Sequence, residues 1–142
     1  VREDAGRLIS EFGSTAYADA ASLMLARLDF EAGQLEAVDE HLFRVISQSK
    51  DPAIQDVARL RLISLAIGRG DLDLADQLLN VEQTIGFESR YEELRGDVFV
   101  ARNDLDGARD AYQSALKNTV AGSVAAQILE RKVNSVRRID DL

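Results

Sequence analysis

The sequence predicts an all-α fold that is built from repeated helix–turn–helix units. Apolar residues recur at helical spacing along the chain, and no stretch alternates between apolar and polar residues as a half-buried strand would. The chain of 142 residues contains one proline and nine glycines, a composition that favours long helices over a turn-rich β fold. A further observation, an internal repeat, divides the helices into pairs.

The repeat is visible in three segments that align without gaps around Gly33, Gly70 and Asn103. Gly70 follows Gly33 by 37 residues, and Asn103 follows Gly70 by 33. Each of these anchors precedes an acidic, helix-favouring run, and the extra residues of the first interval fall in a loop at residues 47–52, where insertions cost little. A helix–turn–helix unit of about 34 residues is the tetratricopeptide period.

These anchors set the expected order of the elements. We expect an N-terminal helix over residues 1–13, repeat 1 over 16–50, repeat 2 over 52–86, repeat 3 over 89–118 and a C-terminal capping helix over 122–140. The N-terminal helix carries the apolar stripe Ala5, Leu8, Ile9 and Phe12. The C-terminal helix carries the stripe Val124, Ile128, Leu129, Val133, Val136 and Ile139. The prediction is a single tetratricopeptide-repeat solenoid domain over residues 1–142, in which the flanking helices cover the ends.

Helix boundaries are marked by residues with capping chemistry. Asp51 and Pro52 are typical of a helix start, because the carboxylate caps free N–H groups and proline lacks one. The second helices of repeats 2 and 3 begin with the aspartates Asp71, Asp73, Asp104 and Asp106. Helices are expected to stop at the glycines Gly13, Gly33, Gly70 and Gly86.

Charge and composition exclude several classes of function. The chain has 17 Lys and Arg against 25 Asp and Glu, a net charge of −8. This balance argues against binding to nucleic acid or to an anionic membrane surface, both of which attract basic proteins. The absence of cysteine excludes thiol catalysis, cysteine-based zinc sites and disulfides.

No motif with catalytic or metal-binding chemistry is found in the sequence. His41 is the single histidine, and the sequence suggests no partner for it. The run that begins at Arg102 resembles a calcium loop, but Arg102 and Gln113 stand where its first and twelfth ligands should be. The sequence therefore predicts a non-enzyme without catalytic residues, cofactor or metal.

The chain resembles the tetratricopeptide family at the residues that pack its repeats. Repeat 3 matches best, through Leu94, Gly96, Phe99, Ala108, Tyr112 and Ala115. The other repeats depart from the family pattern at Asp29, where an apolar residue is expected, at Ile63, which is usually small, and at Glu82, which is usually alanine.

A narrower resemblance covers almost the whole chain. Its most specific part is Arg95-Gly96-Asp97 followed by Gly107-Ala108-Arg109. With the run from Leu25 to Glu36, this block resembles the YfgM-type family of ancillary SecYEG translocon subunits. The resemblance implies a bacterial inner-membrane protein with one N-terminal anchor and this domain on the periplasmic side. It also implies docking to the translocon and to a membrane-anchored, prolyl-isomerase-like chaperone, with translocated chains as further partners.

We expect the first helix of each repeat to line a concave groove that binds a partner. The predicted groove residues are Leu23, Arg27, Phe30, Leu60, Ser64, Ile67, Arg90 and Glu93. They are mainly apolar in repeats 1 and 2 and charged in repeat 3, which suits an amphipathic helix or an extended apolar segment. A clamp for a C-terminal carboxylate is disfavoured, because Leu23 and Leu60 stand where lysine or asparagine is needed. Two alternatives stay open: a flanking helix fills the groove, or these residues face elsewhere.

Two interpretations of function follow. In the first, the chain is a non-enzymatic interaction module on the periplasmic side of the inner membrane that links the Sec translocon to periplasmic chaperones. The alternative is a generic tetratricopeptide scaffold or adaptor of another assembly or secretion complex, with a cytoplasmic location. The chain begins at Val1 without methionine, and we interpret it as a segment of a longer protein. The anchor that the resemblance implies would precede it.

Overall fold

The computed structural model describes residues 1–82 and 85–137. Its regular structure there is entirely α-helical, in eight helices: α1 (Arg2–Phe12), α2 (Ala16–Glu31), α3 (Leu35–Gln48), α4 (Pro52–Gly68), α5 (Leu72–Leu79), α6 (Glu88–Ala101), α7 (Leu105–Lys117) and α8 (Val124–Ser135). The all-α prediction is confirmed, and so is the order of one flanking helix, three pairs and a second flanking helix. Within the described ranges, no helix combines the length and the apolar character that a membrane span requires.

The chain divides into two compact units, Val1–Leu62 and Ile63–Leu142. In the first unit α1 packs on α2, and α2 packs on α3. In the second unit α5 packs on α6, α6 on α7, and α7 on α8. The single domain expected over residues 1–142 stays a prediction.

The three repeat anchors form the same turn. Gly33, Gly70 and Asn103 have positive φ angles of 74°, 81° and 61°. In each turn the residue after the anchor donates its N–H to the carbonyl five positions back, at N···O distances of 2.8, 2.8 and 2.9 Å. This pair of features is the Schellman end of a helix, which needs a left-handed residue and therefore favours glycine or asparagine.

Aspartates cap three of the helices: α5 and α7, which follow the turns at Gly70 and Asn103, and α4, which follows a loop. Asp71 accepts a hydrogen bond from the Leu74 N–H at 3.3 Å, and Asp104 accepts one from the Gly107 N–H at 2.9 Å. Asp51 caps α4, whose first residue is Pro52. The predicted helix starts are thus confirmed.

The prediction that Gly86 ends a helix is wrong. Helix α5 already ends at Leu79, with Asn80 at its C-terminus, and Gly86 lies in the connection to α6. The physical reason is that Glu82 occupies the position where an alanine would continue the buried face. Glu82 is exposed and lies outside the helix, so a longer α5 would gain no packing.

The core of the second unit is organised around Tyr112. Its ring packs with Ala108, Ala115, Leu129 and Val136, and all five residues are buried. The same ring lies against the backbone of Gly96 on α6. A Cβ atom at position 96 would be 2.5 Å from Cδ1 and 2.9 Å from Cζ of Tyr112, which is inside van der Waals contact. Gly96 is therefore the small packing position that the repeat pattern predicted.

Helix α8 packs on α7 through a narrower stripe than the sequence predicted. Leu129 and Val136 are buried, and Val133 packs beside them. Val124 and Ile128 are 73% and 44% exposed, so their inclusion in the buried stripe is wrong. With 3.6 residues per turn, Val124 and Ile128 lie about 140° and about 100° around the axis of α8 from Leu129, outside the face that packs on α7. Ile139, the last residue of the predicted stripe, lies outside the described residues.

A buried carboxylate joins α1, α2 and α3 in the first unit. Asp29 on α2 is 2% exposed and accepts a hydrogen bond from Arg2 on α1. Its second oxygen lies 3.2 Å from His41 Nε2 on α3. The sequence interpretation that His41 has no partner is wrong, because the hairpin around Gly33 folds position 41 back opposite position 29.

We expect Gly70→Ala to lower the free energy of unfolding by about 1 kcal/mol, because alanine is strained at a positive φ angle. The matched control is Gly68→Ala, two residues earlier at the end of α4, where an added Cβ meets no atom within 4 Å. That control should be neutral or slightly stabilising, as alanine favours a helix. Chemical denaturation measures both, and equal destabilisation of the two variants would contradict the assignment of the turn.

We expect Gly96→Ala to destabilise the chain by about 2–3 kcal/mol, because its methyl group would overlap the Tyr112 ring. In a Tyr112→Leu background most of this cost should disappear, since the ring is absent. Gly6→Ala, at an open position on α1, is the control for alanine in a helix. A double-mutant cycle by urea denaturation measures the coupling, and a coupling near zero would contradict the proposed contact.

Candidate functional site

The predicted groove residues are divided between the two units. In the first unit Arg27 and Phe30 lie exposed on α2, with Phe30 54% exposed, and Leu23 is half-buried. Leu60, on the part of α4 that belongs to this unit, is only 8% exposed. Leu60 is thus a core residue and offers little surface to a partner, whereas Leu23 and Phe30 are accessible.

The remaining predicted residues belong to the second unit. Ser64 and Ile67 on α4 are half-buried, Arg90 on α6 is exposed, and Glu93 on α6 is half-buried. The groove that would join these residues to those of the first unit stays a prediction.

Arg27 has a charge partner on its own helix. Its Nε lies 3.0 Å from Oε1 of Glu31, one helical turn away, and both side chains are exposed. An exposed pair of this kind contributes about 0.3–0.5 kcal/mol and exchanges readily with solvent. Arg27 can therefore change partner at little cost.

A cleft of about 530 Å³ opens in the first unit beside Leu23. It lies between the start of α2 and the loop that leads into α4. Its lining residues are Ser14, Ala16, Asp19, Ala20, Leu23, Lys50, Asp51 and Ile54. Because Ala16 and Ala20 are small, the floor between Leu23 and Ile54 stays open. Leu23 is thus the predicted site residue that borders a recessed apolar surface.

A buried polar network holds the walls of this cleft. Asp19 is 5% exposed and accepts a hydrogen bond from the Ser49 hydroxyl at 2.6 Å. Arg44 lies 3.8 Å from the other oxygen of Asp19 and donates to the Ser22 hydroxyl at 2.9 Å and to the Gly13 carbonyl. The loop after α1, helix α2 and the loop after α3 are thereby fixed to one another.

In the second unit, Glu93 belongs to a charged cluster that includes α8. Lys132 Nζ lies 2.8 Å from Glu93 Oε1 and 2.7 Å from Asp97 Oδ1. The Tyr112 hydroxyl donates to the same Asp97 oxygen at 2.7 Å, and Lys132 Nζ lies 5.4 Å from the centre of the Tyr112 ring. Arg90 pairs with the other oxygen of Glu93 at 2.6 Å. Arg90 and Glu93, which the sequence predicted to contact a partner, thus form ion pairs within the chain.

The surroundings of this cluster shift two pKa values. Burial alone would raise the pKa of Glu93, but hydrogen bonds and charges from Lys132 and Arg90 outweigh it and lower that pKa. Burial raises the pKa of Tyr112 strongly, and the carboxylate of Asp97 adds to the effect. Glu93 therefore stays ionised and Tyr112 stays protonated around neutral pH, so both interactions persist there.

The polar networks were not found from the sequence. Asp19, Arg44, Ser49 and Lys132 carry no motif, and each is an ordinary helix or loop residue in the repeat pattern. One feature could have indicated the network around Asp19. This aspartate occupies a buried position on α2, where a carboxylate requires a charged or hydroxyl partner. Across the described part of the chain, no group of three or more His, Asp or Glu side chains is arranged to hold a metal ion.

Comparison with known proteins places the chain in a family. The family model described as a tetratricopeptide repeat-like domain matches residues 1–138. Because the match covers almost the whole chain, the chain belongs to the tetratricopeptide repeat-like family. No solved structure was found to match it.

The curated relatives that match share one description, "Ancillary SecYEG translocon subunit". The relative from Aggregatibacter actinomycetemcomitans is 28% identical over 134 residues, which cover 94% of this chain and 65% of the relative. The relative from Neisseria gonorrhoeae is 27% identical, over 96% of this chain and 66% of its own length. The relative from Escherichia coli K12 is 25% identical, over 84% of this chain and 58% of its own length. The chain thus spans less than two thirds of the length of these relatives.

We expect Glu93→Gln to destabilise the chain by about 1 kcal/mol at pH 7, because Lys132 and Arg90 lose a charged acceptor. The lowered pKa of Glu93 means that its contribution is present above the pKa of an unfolded glutamate and is lost as the pH falls through the folded-state pKa. The difference in the free energy of unfolding between wild type and variant should therefore become smaller when the pH is lowered to about 3. Urea denaturation at both pH values measures it, with the exposed Glu31→Gln as control. A difference that is constant with pH would contradict the charge assignment.

Proposed function

We propose that this tetratricopeptide repeat-like chain is a non-catalytic interaction module of a protein that associates with the Sec translocon. The observation that carries the proposal is the match to ancillary SecYEG translocon subunits of several bacteria over 84–96% of the chain. The module would bring partner polypeptides to the translocon by binding them on its helical surface.

The surface of the first unit supports this role. Phe30 is exposed on α2, and Leu23 borders the apolar cleft. Apolar side chains at the surface contribute to binding when a partner removes them from water, at about 25 cal/mol per Å² of buried apolar area. We propose Leu23, Arg27 and Phe30 as the partner-contacting residues of this unit, with Ser64, Ile67 and Arg90 as those of the second.

The location and the further partners are part of the proposal. We propose that an anchor upstream of Val1 holds the chain on the periplasmic side of the inner membrane. There it would link the translocon to a membrane-anchored, prolyl-isomerase-like chaperone and to chains that emerge from the channel. Two observations would check the location: the sequence that precedes Val1 in the gene, and the access of externally added protease to the tagged domain in spheroplasts.

The test is affinity purification of the tagged protein from detergent-solubilised membranes of its native host, with any natural sequence that precedes Val1. We expect translocon subunits to be recovered, and Leu23→Glu combined with Phe30→Glu to reduce their recovery several-fold. Leu60 is left unchanged, because a glutamate at this buried position would destabilise the fold.

The matched control places the same two charges on an apolar surface outside the predicted groove, as Val120→Glu with Val124→Glu. Both positions are exposed, so this variant should keep its helicity and its recovery of the translocon. Recovery of a different assembly in place of the translocon would favour a generic scaffold, and absence of translocon subunits from the wild-type sample would contradict the proposal.

A further inference from the structure

Helix α1 covers one side of α2 through a small contact. Its buried residue is Ala5, which packs with Ala21 and Leu25 of α2. Leu8 and Ile9 lie partly buried beside this contact. These three residues of α1 follow the i, i+3, i+4 spacing with which an amphipathic helix enters a groove. The side of α2 beneath α1 is thus a surface suited to a helix.

This side of α2 is separate from the predicted groove. With 3.6 residues per turn, Leu23 and Arg27 lie about 160° around the axis of α2 from Leu25, and Phe30 lies about 140° from it. A helix bound beneath α1 would therefore leave the groove residues of α2 accessible. We call the covered surface the end face; it consists of Ala21, Leu25, Leu28 and Asp29.

Several features of α1 make it easy to displace. Gly6 lies in the middle of the helix, and glycine is a poor helix former. The N-cap residue is Val1, whose side chain cannot accept the hydrogen bond that a serine or aspartate would accept there. Phe12, which was expected in the buried stripe, is 47% exposed. The free energy that holds α1 on α2 is therefore small.

The loop after α1 provides a fixed point for its displacement. Arg44 on α3 donates to the Gly13 carbonyl, and the Thr15 side chain accepts the Ala18 N–H at the start of α2. Gly13 has a φ angle of 48°, in the left-handed region that glycine adopts readily. A displacement of α1 would therefore take place about Gly13, while the loop stays attached to α2 and α3.

Asp29 determines the chemistry of an occupant of the end face. Its buried carboxylate accepts a hydrogen bond from Arg2 of α1, and its second oxygen lies 3.2 Å from His41 Nε2. When α1 leaves, the arginine leaves with it, and removal of one partner from a buried ion pair is strongly destabilising. A helix that replaces α1 must therefore bring a basic side chain next to its aliphatic residues.

We propose that α1 is displaceable and that the end face binds an amphipathic helix of another protein, in which an arginine lies beside aliphatic residues. The arginine of that helix pairs with Asp29, and its aliphatic side chains cover Leu25 and Leu28. The inference goes beyond the proposed function, because the end face lies outside the predicted groove. Since α1 competes for the same surface, its own stability sets how tightly the partner helix binds.

Amide hydrogen exchange of the full chain tests the displacement of α1. We expect amides of α1 to exchange faster than those in the middle of α2, because α1 opens while the unit stays folded. Arg2→Gln should accelerate exchange in α1 about tenfold, since its bond to a buried carboxylate is lost. Gly6→Ala, where the added methyl group meets no atom within 4 Å, should slow it about threefold. Equal protection of α1 and α2 in all three proteins would overturn the proposal.

Binding to the end face is tested with a fluorescent, blocked peptide that copies residues 1–13, with alanine in place of Gly6. Fluorescence anisotropy with the full chain gives the Kd. We expect Arg2→Gln in the chain to tighten binding about tenfold and Gly6→Ala to weaken it about threefold, because they raise and lower the fraction of chains whose end face is free. A peptide with glutamine in place of Arg2 should bind about tenfold more weakly, as Asp29 then lacks its cation.

The matched control is Arg7→Gln, the same change at an exposed position of α1. Arg7 pairs with Glu11 on the surface of the same helix at 3.6 Å, and such a pair contributes little. The Kd for the peptide and the exchange rates of α1 should therefore stay close to those of the wild type.

The outcomes separate this proposal from the proposed function. Equal Kd values for wild type, Arg2→Gln and Gly6→Ala would overturn it, even if translocon subunits are recovered from membranes. The expected order of Kd values would support it, even if those subunits are absent. A dimer of Arg2→Gln in sedimentation velocity would show that α1 of a second copy is the occupant, and would overturn the assignment of the end face to another protein.

Discussion

The second unit depends on the close approach of one aromatic ring to a helix backbone. Tyr112 lies against Gly96 so tightly that no side chain fits between them. The same residue donates a hydrogen bond to Asp97 and lies beneath the ammonium group of Lys132. One side chain thereby joins α6, α7 and α8. The resemblance is most specific in the Arg-Gly-Asp and Gly-Ala-Arg block. Several residues of this block are therefore explained by packing around Tyr112.

The first unit is held by a different kind of interaction, the pairing of buried carboxylates. Asp29 and Asp19 would each destabilise the fold by about 3–5 kcal/mol if their charges were left buried without partners. Arg2 and His41 pair with Asp29. Ser49 donates to one oxygen of Asp19, and Arg44 lies 3.8 Å from its other oxygen, which is buried without a hydrogen bond to any described residue. Since the partners come from other elements, each pair is satisfied in one alignment of the helices. This requirement fixes the cleft walls as a by-product of folding.

Features set by local sequence were predictable, and features set by contacts between elements were not. The turns at Gly33, Gly70 and Asn103 each need one residue with a left-handed backbone, and the turns at Gly70 and Asn103 are followed by a capping aspartate. Both features depend on a few neighbouring residues in the sequence. The partner of His41, by contrast, depends on the register of two packed helices. The exposure of Val124 and Ile128 likewise depends on which side of α8 meets α7. Of the candidate site, Leu23 could be placed at an accessible apolar surface, but the networks around Asp19 and Lys132 required the fold.

The brevity of α5 has a consequence for motion within the second unit. Helices α3 and α7 run for 14 and 13 residues, whereas α5 has eight, so it contains few internal backbone hydrogen bonds to resist opening. Ala75, Leu78 and Leu79 are its buried contacts, and they lie within two turns. A short helix opens at a lower free-energy cost, so amide exchange should be faster in α5 than in α7.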